Sequence, residues 1–290
     1  MSMNGAMIGK LLEYQRSEIT EHHIYRKIAS SMKPGKNRET IERIARDEMR
    51  HYEIWRSYTG RDVRPDLLKL WFYYLISLVL GFTFAIKLME QGEDDAQSEY
   101  RRIGTQVPEA GAILEDETSH EEALIRLLEE ERIRYTGSMV LGLNDALVEL
   151  TGALAGLTLA LQDAHLIALT GSITGIAAAM SMAASEYLST KAEETSKNPV
   201  RASVYTGIAY IVTVLVLITP YLILPNYYVS LGVTLILAVL IIAFFTYYLS
   251  VVKDVPFKSR FFEMAGLSLG IAFISFLVGF ALRTVFGVEV

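Results

Sequence analysis

The sequence predicts an all-α chain in two parts: a water-facing four-helix bundle over residues 1–134 and a five-helix transmembrane domain over 135–290. Three observations carry this. Charge is unevenly divided: residues 1–136 hold 20 of the 27 Lys and Arg and 24 of the 33 Asp and Glu, leaving 7 and 9 for the rest. Five apolar stretches after position 136 are each long enough to cross a bilayer, which takes about 20 residues as a helix. And one phrase occurs twice in the charged part, DEMRH at 47–51 and DETSH at 116–120, in a chain with 5 His.

Composition narrows the chemistry. With no Cys, disulfides, thiolate metal sites and a cysteine nucleophile are excluded. No basic block suggests a nucleic-acid partner. The N-terminal MSMNGAMIGKLLEYQRSE lacks the apolar run and cleavage site of a secretory signal.

The bundle helices follow from periodicity. Helix one, Ile8–Met32, carries the stripe Leu11, Gln15, Glu18, His22, Tyr25. Helix two places Ile41, Ile44, Glu48, Tyr52 and Trp55 on one face. Helix three is the apolar run Leu70–Ile86 (LWFYYLISLVLGFTFAI), expected to be a buried bundle helix that could rest on a membrane, with Glu90 and Glu93 after it. A membrane crossing by this run is the competing reading. It would put the two repeated motifs on opposite sides of the bilayer and give the later spans the wrong loop signs. Helix four aligns Ala110, Ile113, Glu117, Leu124 and Leu127.

Residues i and i+3 share a helix face, so Glu-x-x-His aims a carboxylate and an imidazole at one point. A single copy usually reads as a solvated surface pair. Here both copies lie on inward stripes, where a bare carboxylate costs several kcal/mol or more and needs a partner. Di-iron carboxylate bundles use Glu-x-x-His from two helices and one Glu from each of the other two. Glu18, Glu48 with His51, one of Glu90 and Glu93, and Glu117 with His120 supply that set in chain order. Glu21, His22 and His23 read as supporting or solvated groups. Carboxylates with two imidazoles suit iron (Fe2+) or manganese (Mn2+) and do not exclude zinc (Zn2+). On these residues the first 134 positions resemble the ferritin-like, rubrerythrin-type family. The resemblance implies two carboxylate-bridged metal ions, usually iron, with ferroxidase or peroxide chemistry.

The expected spans are Gly137–Leu161, Leu166–Ser189, Ser203–Leu224, Tyr228–Val251 and Phe261–Phe286. Lys191, Lys197 and Arg201 follow the second, and Lys253, Lys258 and Arg260 follow the fourth. Cytoplasmic loops accumulate Lys and Arg, so the expectation is a cytoplasmic N-terminal domain and an external C-terminus, in the cell membrane.

Ionisable groups inside spans are costly and usually functional. The first span carries GLNDALVELTGALAG, with Asp145 and Glu149 one turn apart; the second carries SMAASEYLS, with Met182 and Glu186. The two helices run in opposite directions, so Asp145 and Glu186 are expected to approach one depth as an inward-facing cation site able to exchange protons. Met180 and Met182 read either as packing or as soft ligands. Gly152-x-x-x-Gly156, Gly171-x-x-x-Gly175 and Gly266-x-x-x-Gly270 permit close helix approach in a tight bundle or dimer.

These two segments resemble the signatures of the vacuolar iron transporter family, over roughly Arg134–Val290. That resemblance implies a homodimer exchanging Fe(II) or Mn(II) for protons, with Asp145 and Glu186, and Met182 as a further candidate, in the pathway. Glu149 is added from its spacing alone. Family members known for vacuolar loading carry a long Glu-rich insertion after the second span; here that segment is TKAEETSKNPVR. The bundle is the expected replacement, and the combination resembles the membrane-bound ferritin type. The leading functional expectation is export of Fe(II) from the cytoplasm by proton exchange, with the bundle capturing or sensing metal. The alternative is a membrane-tethered ferroxidase or peroxide reductase whose spans are an anchor.

Overall fold

The structure, a computed structural model, describes residues 5–90, 107–126, 135–193 and 197–286. The chain forms two compact units, Met1–Glu130 and Glu131–Val290. The division falls slightly before the expected 134/135 boundary, where residues 127–134 lie outside the described ones. Among the described residues all regular structure is helical.

The first unit contains α1 (Gly5–Ser31), α2 (Lys36–Thr59), α3 (Leu67–Leu80), α4 (Phe82–Glu90) and α5 (Ala110–Arg126). α2 stops where Gly60 takes a left-handed conformation (φ 64°) and its amide donates to the Arg56 carbonyl, the usual way to satisfy a terminal carbonyl. Asp66 caps α3, accepting from the amides of Leu68 and Lys69.

The interior is layered. Ile24, Tyr25, Ile28, Ile41, Ile44, Ile86, Met89 and Leu124 form one apolar cluster. Leu11, Tyr14, Trp55, Val107, Ala110 and Ile113 form another. Along α1, α2 and α5 the residues between these clusters are Glu18, Glu48, His51, Glu117 and His120, all buried. A polar layer buried between two apolar ones must satisfy its charges with protein partners or with a ligand.

The third helix departs from expectation. The run Leu70–Ile86 is not one buried helix: it breaks at Gly81, whose φ of 99° and ψ of 152° lie in a region only glycine occupies comfortably. After the break α4 turns inward, burying Phe84, Ala85, Ile86 and Met89. Before it, α3 buries only Leu70 and Ser77. Hydrophobicity alone does not separate these two environments. Gly81→Ala is expected to lower the unfolding free energy of the bundle by about 1–3 kcal/mol through backbone strain, read from thermal unfolding of the full chain in detergent.

The second unit contains α6 (Thr136–Leu161), α7 (Ala164–Ala192), α8 (Pro199–Ile223), α9 (Tyr227–Lys253) and α10 (Phe257–Phe286). All five are long and apolar enough to cross a membrane, within a few residues of the expected spans. α6 packs against each of the other four, and α8 lies along α7. Glycine makes the closest approaches possible: a Cβ on Gly142 would meet the backbone of Thr206, and one on Gly279 the backbone of Gly156. Of the three small-residue pairs, Gly152/Gly156 seats α10 at Ser275, and Gly171/Gly175 seats Leu154 and Val214. Gly266 and Gly270 face open space in the single chain.

Candidate metal centre and membrane carboxylates

The two repeated motifs converge. His51 Nδ1 lies 3.1 Å from Glu117 Oε1, 3.3 Å from Glu48 Oε2 and 3.5 Å from Glu18 Oε2. His120 Nδ1 lies 3.2 Å from Glu48 Oε1 and 3.7 Å from Glu117 Oε2. Glu48 and Glu117 therefore each turn one oxygen to each imidazole. Ligand atoms of Glu18, Glu48, His51 and Glu117 all lie within 4.8 Å of one another, and the two imidazole centroids are 5.9 Å apart. Helices α2 and α5 meet at these side chains, so the two motifs do not lie on opposite sides of a bilayer.

Glu18 completes the His51 side and accepts the Trp55 indole proton at 3.0 Å. The expected fourth carboxylate, Glu90 or Glu93, is not among the described side chains: Glu90 closes α4 but its side chain is not described, and Glu93 lies outside the described residues. Of the neighbouring histidines, His22 pairs with the Ala45 carbonyl at 2.6 Å. Glu21 is buried and accepts from Ser17.

The quoted motifs held a further signal that their Glu and His obscured: both begin with Asp. His51 Nε2 lies 3.2 Å from Asp116 Oδ2, and His120 Nε2 lies 3.1 Å from Asp47 Oδ2. Each motif thus supplies the carboxylate that orients the other motif's imidazole. Arg50, also inside the first motif, ties the two together, 2.6 Å from Asp116 and 3.3 Å from Asp47. An Nε2–H held by carboxylate leaves Nδ1 free to ligate, which is how outer partners fix a histidine ligand. Asp47→Asn and Asp116→Asn are each expected to lower metal affinity about 10–100-fold with helix content unchanged, measured by anaerobic titration and circular dichroism.

Electrostatics describe a site short of positive charge. Burial, and next the neighbouring Glu117, push Glu48 well above the carboxylate range. Burial also opposes ionisation of Glu117, but His120 and His51 override it and hold its carboxyl at about 2. Burial disfavours imidazolium at both histidines, yet the carboxylates win: His51 is raised strongly, and His120, facing Glu117 and Glu48, rises to about 10. Nevertheless Glu48 Oε2, His51 Nδ1 and His120 Nδ1 are buried without a well-formed hydrogen bond among the described residues. These three atoms, with the Glu18 and Glu117 carboxylates beside them, fit a divalent ion of hard to borderline character.

In the second unit the predicted residues are spread along a line. Glu186 on α7 accepts from Ser138, near the start of α6, at 2.5 Å and from Thr190 at 3.4 Å. Asp145 lies seven positions beyond Ser138 on α6, about 10 Å further along at about 1.5 Å per residue. The two carboxylates are therefore offset by about two turns of α6 and not at the one depth expected. Glu149 accepts from the buried Tyr210 hydroxyl at 2.9 Å; it is exposed on the single chain, in the middle of α6. Met182 packs beside the apolar core of this unit and Met180 is exposed. Tyr210 and Ser138 were missed: one hydroxyl among many in a span carries no sequence signal.

The VIT family model matches residues 136–198, the stretch that holds α6, α7, Asp145, Glu149, Met182 and Glu186. No match was found among curated proteins or among solved structures. The match, about a fifth of the chain, together with five membrane-capable helices, marks an integral membrane protein and points to transport of metal ions.

Proposed function

We propose that the chain exports Fe(II), with Mn(II) as the closest competitor, from the cytoplasm in exchange for protons, and that its N-terminal unit is a ferritin-like dinuclear site that captures or senses the metal first. The carrying observation is the paired Glu-x-x-His geometry, in which Glu48 and Glu117 each present one oxygen to each imidazole. Two metal ions bridged by those carboxylates would be held terminally by Glu18 and His51 on one side. On the other they would be held by His120 and one of Glu90 and Glu93. Metal binding there replaces the protons on the imidazoles, since only neutral nitrogen ligates.

In the membrane unit the carboxylates of Asp145, Glu149 and Glu186 can be neutralised either by a divalent ion or by protons. Alternation between these states keeps buried charge low in both directions, and that couples ion exit to proton entry. Glu149, facing outward from mid-span, is costly in lipid; a second copy would remove that cost by covering the face, which supports a homodimer.

Anomalous diffraction at the iron edge on anaerobically loaded protein tests the capture site. Scattering between His51 and His120 is expected, and its absence overturns the reading. Removing residues 1–130 then separates roles in reconstituted vesicles. Lost flux means supply, raised flux means gating, and no flux from either protein with rapid ferric product from the intact chain means the tethered ferroxidase.

A further inference from the structure

Among the described residues of the first unit, every large apolar side chain that is strongly exposed belongs to α3: Leu67, Leu68, Trp71, Phe72, Leu75, Leu78 and Val79, between 48 and 86% exposed. The other exposed positions of that unit's described surface carry charged, polar or small side chains and two prolines. Contiguous exposed apolar surface of this kind marks an interaction site. α3 leans on the bundle through Leu70, Tyr73 and Ser77, spaced three to four apart, leaves Tyr74, Ile76 and Leu80 half-buried, and turns the rest outward.

From this we infer that α3 lies in the headgroup and outer acyl region of the bilayer, as a monotopic contact of the N-terminal unit. Length argues against a crossing: 14 residues make a helix of about 21 Å, short of the ~30 Å hydrocarbon core. Area argues against a second copy. A footprint about 21 Å long and about 10 Å wide falls well below the ~800 Å² per partner that a stable protein interface needs. A bilayer has no such threshold here, because the same chain already carries five membrane-capable helices and their anchoring offsets most of the cost of bringing α3 to lipid.

The chemistry of the patch agrees. Trp71 and Tyr74 are amphipathic rings of the kind that concentrate at membrane–water interfaces, with the apolar Phe72 beside them. Cations rim it: Arg64 and Lys69 are exposed, and Lys27 Nζ sits 4.3 Å from the Trp71 ring centre and 4.7 Å from that of Tyr74. Positive charge beside aromatic rings complements anionic headgroups. The break at Gly81 serves the same arrangement, since it ends the lipid-facing segment and sends α4 into the core.

The two Trp of the chain, Trp55 and Trp71, make the test direct. Trp55 is fully buried. The full-length protein is reconstituted into phosphatidylcholine–phosphatidylglycerol vesicles whose acyl chains are brominated at shallow or deep carbons. In Trp55→Phe, the remaining Trp71 is expected to lose at least half its emission, most with shallow bromines, and to resist acrylamide. In Trp71→Phe, Trp55 emission is expected to be unchanged by bromine. Three results overturn the inference. Trp71 open to acrylamide and unaffected by bromine faces water. Trp71 shielded from both is covered by protein. Trp71 quenched most by deep bromines belongs to a crossing. Should Trp55→Phe misfold, a spin label at Leu75→Cys in this cysteine-free chain gives the same answer. Collisions with dissolved oxygen should exceed those with a water-soluble nickel chelate, and the reverse overturns it.

Discussion

Glu48→Gln is expected to abolish metal binding by the N-terminal unit while making the metal-free protein more stable. The side chain is buried, its carboxyl is held well above the usual range, and its two oxygens are split between His51 and His120. A carboxyl whose folded pKa is raised favours the fold fully only below its unfolded value, near 4.5. That contribution is lost as pH rises through the folded value, so at pH 7 ionisation of Glu48 works against folding. Gln keeps the shape and removes the charge. It also removes a bridging oxygen, so metal no longer raises the melting temperature. In the wild type, free metal at 100 times Kd should add about 2.7 kcal/mol; in Glu48→Gln that increment should vanish. Proton release gives a second reading. His51 and His120 are protonated in the metal-free protein at pH 7, His120 up to about 10, and must lose those protons to ligate. Apparent affinity should therefore climb with pH, by about tenfold per unit for each proton displaced, in calorimetry repeated in buffers of different ionisation enthalpy. A Glu48→Gln protein that is less stable without metal, yet still stabilised by it, would mean that Glu48 is a structural residue.

That site was largely legible in the sequence because its parts obey short-range rules. Glu and His three apart on an apolar stripe share a direction, and Glu18, Glu48, His51, Glu117 and His120 could be picked out one helix at a time. What had to be seen in three dimensions was exchange between helices. Asp47 orients His120 and Asp116 orients His51, pairings that cross from α2 to α5 and leave no periodic trace. The same limit explains α3. The run Leu70–Ile86 is apolar throughout, and only the backbone at Gly81 decides that its second half is core and its first half surface. In the membrane unit the spans were plain from composition, whereas the relative depth of Asp145 and Glu186 depends on how α7 slides against α6. Ser138 beside Glu186 fixes that register.

The register gives the membrane carboxylates different expected defects. Glu186 stands with Ser138 at the α6 end that follows the first unit in the chain, and Asp145 is about 10 Å further in. In the proposed direction of export an ion would meet Glu186 first and Asp145 second. Glu186→Gln should then weaken entry: KM for Fe(II) rises several-fold while maximal flux is largely kept. Asp145→Asn should stop turnover at any concentration, because a neutral amide can neither hold the ion at depth nor return a proton. A loss of flux of about 100-fold or more is expected, since an ion at that depth without its counter-charge meets a barrier of several kcal/mol. Glu149→Gln should fall between the two, and Tyr210→Phe should shift the pH dependence of flux by removing the hydroxyl that donates to Glu149. The measurement is anaerobic Fe(II) uptake into vesicles holding a metal-quenched dye, with a second dye reporting internal pH and iron binding to the bundle checked as unchanged. Equal KM defects in Glu186→Gln and Asp145→Asn would mean that both residues serve one site after all. Flux unaffected by either would remove them from the pathway and leave the five helices as a scaffold for the metal centre.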